Sequence, residues 1–193
     1  MRIHDDKIIK RRQKIERKSD YHDYLCELQE DFKHICGYCG KSEAVAKNAF
    51  EIDHFVPEKY AEDRKNDYTN LVYSCFECNR KKASKWLSKD KNIQFINGRG
   101  FVDPASGKYD IHLDRNLDGS IVGKTLAGEY MVLEGFKFAE RPMKEIWKAM
   151  QLIKMKEKLQ KKMDGLPESQ LREYIIIDMQ LQKIQQYLFG KKE

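Results

Sequence analysis

Residues 75–82 read CFECNRKK, a pair of cysteines followed at once by an asparagine and three basic residues. The same cysteine spacing occurs upstream, where residues 36–39 read CGYC. Between the two pairs, residues 51–57 read EIDHFVP, so that an acidic residue and a histidine stand side by side before a proline. The three stretches combine thiols, carboxylates, an amide and an imidazole, which are the groups that bind metal ions and move protons.

The two cysteine pairs predict one tetrahedral zinc site with the ligands Cys36, Cys39, Cys75 and Cys78. Four thiolates leave no open coordination position, so we expect this zinc to be structural. The alternatives are two unrelated pairs or a redox motif, although redox C-x-x-C motifs usually occur singly. The fifth cysteine, Cys26, lies in a helical pattern and is expected to be a small buried side chain.

Composition narrows the class of protein. The chain has 193 residues with 35% charged residues, 40% hydrophobic residues and a net charge of +6. A modest basic excess fits a nucleic-acid partner. No apolar run is long enough for a transmembrane helix, and the N-terminus has no apolar stretch of signal-peptide length. We therefore expect a cytoplasmic protein with reduced cysteines and no membrane partner.

The order of elements predicts an α+β protein. Residues 49–56 are typical of a strand that Pro57 stops, residues 58–69 of a polar loop, residues 71–74 of a second strand, and residues 76–87 of a basic helix. We divide the chain into a basic arm and helix (1–33), a core (34–92), a Gly-rich region of short strands (93–138) and a basic helical hairpin (139–193).

The flanking regions carry further expectations. The run Lys7–Lys18 has seven basic residues and one acidic residue, which is typical of a solvated tail, an exposed helix or an arm that binds nucleic acid. Ser19 is expected to cap a helix over about 20–34. Short strands are expected at SIVGKTL (120–126) and EYMVLEG (129–135). Helices are expected over 142–163 and 168–188, with Gly165 and Pro167 between them and Leu171, Ile175 and Met179 in the apolar stripe of the second.

Asp53, His54 and Asn79 suggest a second site. Asp53 and Asn79 offer oxygen ligands, which suit a hard cation such as Mg²⁺ or Mn²⁺. His54 has a reference pKa of about 6.5 and is largely neutral at physiological pH, so it can accept a proton from water. Taken singly, the Asp-His pair is often a surface couple, and Asn70 and Asn79 are often turn or helix caps. Residues 53 and 54 also point to opposite faces of a regular strand.

The combination resembles the HNH family of ββα-metal (His-Me finger) nucleases in its zinc-stabilised form. The resemblance covers about residues 34–87 and rests on four blocks in order: the first C-x-x-C, the D-H-x-x-P block, the pair Asn70-Leu71, and C-x-x-C-N-x-x-K. It implies a ββα-metal core, which is flanked by the N-terminal helix and the C-terminal helical hairpin predicted above.

The resemblance also implies roles for the residues. His54 is the general base for water, Asn70 holds the loop and orients His54, and Asp53 and Asn79 bind a single catalytic metal ion. The last family position is often His, and the Asn at 79 favours Mg²⁺ or Mn²⁺ over a His-ligated transition metal. Four basic side chains would hold the backbone of a DNA substrate by charge: Arg80, Lys81, Lys82 and Lys85.

The zinc-type core is followed by a Phe-Val-Asp-Pro segment at 101–104, a Gly-rich strand region and a basic helical tail. This order resembles small bacterial HNH proteins, some of which serve in restriction or anti-phage defence. These include the nuclease subunit of Septu-type systems, which acts with an ATPase. Three interpretations stay open: a metal-dependent DNA endonuclease, a zinc-bearing nucleic-acid-binding module without catalysis, and a subunit active only with a partner such as an ATPase or another defence subunit. The sequence leaves open whether the protein is a monomer or a homodimer.

Overall fold

A computed structural model of the chain describes residues 1–46, 49–161 and 167–190. Within these ranges the fold is α+β, as predicted, with three two-stranded antiparallel sheets. The helices are α1 (Leu25–Asp31), α2 (Phe76–Lys82), α3 (Tyr109–His112), α4 (Leu126–Tyr130), α5 (Met143–Gln160) and α6 (Glu168–Phe189). The strands pair as β1 (Phe50–His54) with β2 (Leu71–Cys75), β3 (Phe95–Ile96) with β4 (Arg99–Gly100), and β5 (Leu113–Arg115) with β6 (Ile121–Gly123).

The central unit is the ββα arrangement of β1, β2 and α2. The register pairs Phe50 with Cys75 and His54 with Leu71, so the two strands are paired over their full length. Helix α2 follows β2 without a linker and packs on both strands. It stops at Lys82 rather than near residue 87 because Ala83 has a φ of 46°, a left-handed backbone conformation that ends the helix.

The N-terminal helix is shorter than predicted. A 3₁₀ turn (Tyr21–Tyr24) precedes α1, and its cap is Asp20 rather than the expected Ser19. Lys33 and His34 have φ values of 56° and 59°, so the chain leaves the helical conformation before residue 34. The helix buries Leu28 and Asp31.

The prediction for Cys26 is wrong, because this residue is exposed. It lies on the solvent side of α1, whereas Leu28 on the same helix is fully buried. Helical periodicity in a short amphipathic helix does not by itself say which face meets the core.

The basic N-terminal segment is neither a solvated tail nor a helix. Ile9 is buried, and the Arg11 guanidinium makes two bonds to the Asp103 carboxylate at 2.8 and 3.0 Å. Arg12 binds Asp31 of α1 through its Nε at 2.9 Å. These two arginines hold the segment against the domain and are not available as a free arm.

In the Gly-rich region the first expected strand is confirmed as β6, but the second is wrong. The stretch EYMVLEG lies in α4 and in the π-helical turn that follows it, Met131–Gly135. Thr125 starts this helix, since its hydroxyl accepts a hydrogen bond from the Gly128 amide at 3.2 Å. A Cβ at Gly128 would lie 1.9 Å from the carbonyl oxygen of His112, so α4 approaches the end of α3 too closely for a side chain.

Helices α5 and α6 form the expected antiparallel hairpin. Lys156 of α5 pairs with Asp178 of α6, and Gln160 donates to the Tyr174 hydroxyl at 3.0 Å. The predicted helix end near Met163 and the break at Gly165 lie outside the described residues. No helix in the described ranges is long and apolar enough to cross a membrane.

The apolar stripe of α6 is narrower than predicted. Ile177 and Leu181 are buried, but three residues assigned to the stripe are 42 to 57% exposed: Leu171, Ile175 and Met179. A helix packed against one partner buries one face, and these three residues lie on the other.

Arg115 joins three distant segments in the interior. It is 1% exposed, and its guanidinium donates to the carbonyl oxygens of Gly119 at 2.8 Å, Cys39 at 2.6 Å and Ile3 at 3.3 Å. A planar group with five donors suits several carbonyls at once.

We expect Arg115→Met to lower the free energy of unfolding by about 3 kcal/mol, because at least two buried carbonyls lose their donor. Urea denaturation measures the effect. Arg172→Met on the exposed side of α6 is the control, and its exposed ion pair with Glu168 should contribute less than about 0.5 kcal/mol. Equal losses in the two variants would contradict a structural role for Arg115.

Candidate functional site

The four predicted zinc ligands form one buried cluster. Cys36 and Cys39 lie in a turn before β1, Cys75 is the last residue of β2, and Cys78 is in the first turns of α2. Their sulfur atoms all lie within 4.8 Å of one another, and the Cys39 and Cys75 sulfurs are 3.7 Å apart. A zinc ion with Zn–S bonds of about 2.3 Å places its ligands about 3.8 Å apart, so the cluster fits the metal.

Backbone geometry in the first cysteine pair explains the glycine at position 40. The Gly40 amide donates to the Cys36 carbonyl at 2.8 Å, which closes the turn. Gly40 has a φ of 70°, and a Cβ there would lie 2.3 Å from the Ile3 carbonyl oxygen. Only glycine meets both requirements.

Arg141, just before α5, lies against the thiol cluster. Its Nη1 donates to the Cys78 sulfur at 3.2 Å, and its Nη2 lies 3.8 Å from the Cys75 sulfur. Burial lowers the pKa of Arg141, but the neighbouring thiolates outweigh burial and raise the pKa above its usual value. The arginine therefore compensates the negative charge of a four-thiolate zinc site and fastens the start of the hairpin to it.

His54 lies at the end of β1, where the chain turns into the loop. Its Nε2 is 2.9 Å from the Lys65 carbonyl oxygen, so this nitrogen carries the proton and donates it. The ring also packs edge-on against Tyr21, with a centroid distance of 4.6 Å. Within the described residues Nδ1 has no hydrogen-bond partner, so it is the ring nitrogen open to a water molecule.

Asn70 closes the loop that carries Lys65. Its Oδ1 accepts from the Val56 amide at 2.9 Å, and its Nδ2 donates to the Val56 carbonyl at 3.1 Å. Its own carbonyl accepts from the Phe55 amide at 2.7 Å. Asn70 is fully buried, so these bonds are protected from water, and they hold the residues directly after His54.

Asp53 points to the opposite side of β1 and is 5% exposed. The Tyr38 hydroxyl donates to its Oδ2 at 2.5 Å, and the Lys82 ammonium lies 2.9 Å from Oδ2 and 3.1 Å from Oδ1. The same ammonium donates to the His54 carbonyl at 2.6 Å. Lys82 is therefore the cation that the Asp53 carboxylate contacts.

Asn79 lies one turn before Lys82 on α2. Its Nδ2 donates to Glu51 Oε1 at 2.9 Å, and Glu51 shares a strand face with Asp53. Asp53, Glu51 and the amide oxygen of Asn79 thus supply hard oxygen donors where α2 meets β1. This donor chemistry fits Mg²⁺ or Mn²⁺, provided that the Lys82 ammonium moves away from Asp53.

Comparison with known proteins agrees with this geometry. Residues 36–85 match the HNH endonuclease family. This chain carries an HNH endonuclease domain. The match runs from the first zinc ligand to just beyond α2, so the cluster, His54 and Asn70 all lie within the domain. The whole chain has no significant match among curated proteins or solved structures.

The four basic residues expected to contact phosphate have different surroundings in the HNH domain. Arg80 and Lys81 are exposed on α2. Lys85 is half-buried and donates to the carbonyls of Glu134 and Gly135 at 2.8 and 3.1 Å. Lys82 is fully buried beside Asp53, so the expectation that it holds a phosphate disagrees with its position.

Sequence reasoning did not single out Tyr38 or Arg141. Tyr38 lies between two cysteine ligands, and its hydroxyl could have been noted as a polar group carried by the zinc turn. Arg141 is far from the cysteines in sequence, and no spacing links it to them. Only the packing of the start of α5 brings it to Cys78.

We expect Cys78→Ser to lose the zinc and unfold the HNH domain, because metal binding and folding are coupled in small four-thiolate sites. Cys26→Ser is the matched control, since Cys26 is exposed outside the cluster. Metal content by mass spectrometry and thermal melting distinguish the two. A metal-free parent protein, or an unchanged melt for Cys78→Ser, would overturn the assignment.

Proposed function

We propose that the protein is a metal-dependent endonuclease that hydrolyses phosphodiester bonds in DNA. The observation that carries this proposal is His54, whose Nε2 proton is held by the Lys65 carbonyl and whose Nδ1 is unpartnered within the described residues. A neutral imidazole fixed in one tautomer is suited to general-base catalysis. The match to the HNH family supports the same chemistry.

In the proposed reaction, Nδ1 of His54 removes a proton from a water molecule, whose oxygen attacks the phosphorus in line with the leaving 3′ oxygen. The bond from phosphorus to this oxygen breaks, and the leaving 3′ oxygen takes a proton from a second water molecule while His54 returns its proton to solvent. The products carry a 5′-phosphate and a 3′-hydroxyl. Asn70 contributes by holding the chain after His54, so the ring keeps its orientation. Arg80 and Lys81 are exposed and are proposed to contact the DNA backbone.

Asp53 and Asn79 are proposed to hold the catalytic Mg²⁺ or Mn²⁺. Such an ion, when bound, neutralises charge on the phosphate and stabilises the leaving oxygen. For Asp53 to hold such an ion, Lys82 would have to move, because its ammonium contacts both carboxylate oxygens. Asn79 has its amide oxygen uncommitted among the described contacts and needs no such rearrangement.

The two other interpretations differ from this proposal in what cleavage experiments would show. A zinc-bearing binding module would bind DNA without cutting it. A subunit of a defence system would cut only with its partner, and the resemblance to Septu-type nuclease subunits, the ATPase partner and a homodimeric state stay predictions from the sequence.

We expect His54→Ala to reduce plasmid cleavage by about 10²–10⁴-fold while DNA binding is retained, because a general base acts mainly in the transition state. His34→Asn is the control: this exposed histidine has a left-handed backbone conformation that asparagine tolerates, and it should cleave like the parent. Cleavage is measured with Mg²⁺ or Mn²⁺, and with EDTA.

Two results would contradict the assignment. Equal cleavage by the parent and His54→Ala would exclude His54 as the base. Retained DNA binding without cleavage under any metal or partner condition would favour the non-catalytic module.

Lys82 provides a separate test of the Asp53 metal site. We expect Lys82→Met to bind Mn²⁺ at least about tenfold more tightly than the parent, because the Asp53 carboxylate loses its competing cation. Lys81→Met removes an exposed charge from the same helix and should leave the affinity nearly unchanged. Binding is measured by electron paramagnetic resonance, and melting curves check that each variant is folded.

The double variant Lys82→Met with Asp53→Asn completes this comparison. If Asp53 binds the ion, the double variant loses the gain in affinity. A gain that survives in the double variant, or no gain in folded Lys82→Met, would show that Asp53 is only the counter-ion of Lys82.

A further inference from the structure

A cleft of about 660 Å³ lies between the HNH domain and the Gly-rich region. Val56, Arg64 and Thr69 line it from the loop after β1, and Lys108 and His112 line it from the segment that leads into and forms α3. The wall that carries Lys108 and His112 lies outside the residues that match the HNH family. The cleft therefore belongs to this chain's own arrangement of the domain and its extension.

Basic side chains outnumber acidic ones in the lining of the cleft. Four basic side chains line it: Arg64, Lys91, Lys108 and His112. Its one acidic lining residue, Asp103, has both carboxylate oxygens bound by Arg11 at 2.8 and 3.0 Å. This carboxylate is therefore already neutralised and does not offset the basic groups.

The basic groups are available to a ligand to different degrees. Lys108 makes no ion pair within the described residues. Arg64 pairs with Asp67 at 2.9 Å and Lys91 with Asp63 at 2.6 Å, but both pairs are at least one-third exposed. Exposed ion pairs contribute little energy, so an anion competes with them readily.

The surroundings of His112 indicate the sign of the electrostatic potential at one end of the cleft. Its Nδ1 bonds to the Thr125 hydroxyl at 2.8 Å. Burial, then the ammonium groups of Lys108 and Lys124, lower its pKa, and no carboxylate acts in the opposite direction. Unneutralised positive charge at this end of the cleft favours a bound anion.

The cleft also adjoins the catalytic loop. Arg64 precedes Lys65, whose carbonyl holds the His54 ring, and Asn70 closes the same loop. A ligand held by Arg64 therefore lies across one short loop from the proposed general base. This placement suits a phosphate that neighbours the cleaved one on the same nucleic acid.

We propose that this cleft binds the phosphodiester backbone of the DNA substrate beside the cleaved bond. The proposal rests on the proposed endonuclease function and gives the Gly-rich region a part in substrate binding. The basic side chains in the lining of the cleft suit phosphate groups. Of the aromatic residues in the lining, Phe55 and Trp86 are almost fully buried, whereas Phe95 is 38% exposed and stacks on His112.

The test compares two pairs of lysines. Lys91→Gln with Lys108→Gln removes charge from the cleft, and Lys148→Gln with Lys158→Gln removes the same charge from the exposed side of α5. All proteins carry His54→Ala so that the DNA stays intact. Fluorescence anisotropy with duplex DNA measures affinity over a range of salt concentrations.

We expect the cleft pair to weaken binding about tenfold or more and to reduce the slope of log K against log salt by about 1–2, since each lost phosphate contact removes about 0.9. The α5 pair should change neither quantity. Equal effects of the two pairs, or no effect of the cleft pair, would overturn this inference while leaving the proposed function intact. A His54→Ala protein that binds no DNA at any salt concentration would overturn both.

A second measurement separates the DNA backbone from free phosphate. The His112 ring signals are followed by NMR during titration with a short DNA duplex and with inorganic phosphate. We expect saturable shifts with DNA at concentrations where inorganic phosphate has no effect. Equal saturation by inorganic phosphate would assign the cleft to a small anion instead.

Discussion

The four-thiol cluster is the constraint on which the rest of the HNH domain depends. It fastens the turn before β1 to the junction of β2 and α2, and the Gly37 amide also donates to the Tyr73 carbonyl of β2 at 2.8 Å. Tyr38 lies within that turn, and its hydroxyl reaches Asp53. Asp53 in turn holds Lys82, which binds the His54 carbonyl. Contacts thus lead from the metal-binding turn to the backbone of the proposed catalytic histidine.

Lys82 is buried in the site, whereas the sequence predicted that it would contact a DNA phosphate. A buried ammonium is stable only when its charge and its hydrogen bonds are compensated. Asp53 compensates the charge, and the His54 carbonyl accepts a further hydrogen bond. The helix that carries Cys78 therefore supplies a cation to the strand that carries the histidine, and any metal ion at Asp53 has to compete with it.

Arginines join segments that are far apart in the chain. Arg11 binds Asp103, Arg115 binds three backbone carbonyls, and Arg141 binds the thiol cluster. Part of the basic excess of the chain is thus structural and does not face a nucleic acid. The net charge alone overstates the surface open to DNA. In the cleft, Arg64 and Lys91 have acidic partners, and Lys108 makes no ion pair within the described residues.

The sequence by itself determined the four cysteines of the metal-binding cluster, the order of β1, β2 and α2, and the residues of the HNH pattern, because cysteine spacing and short-range periodicity are local properties. It did not determine the burial of Lys82 or the exposure of Cys26, since helical spacing leaves open which face meets the core. It also predicted a strand where α4 and its π-helical turn lie. The tertiary structure alone decided these points, together with the position of Arg141, because each depends on contacts between segments far apart in the chain.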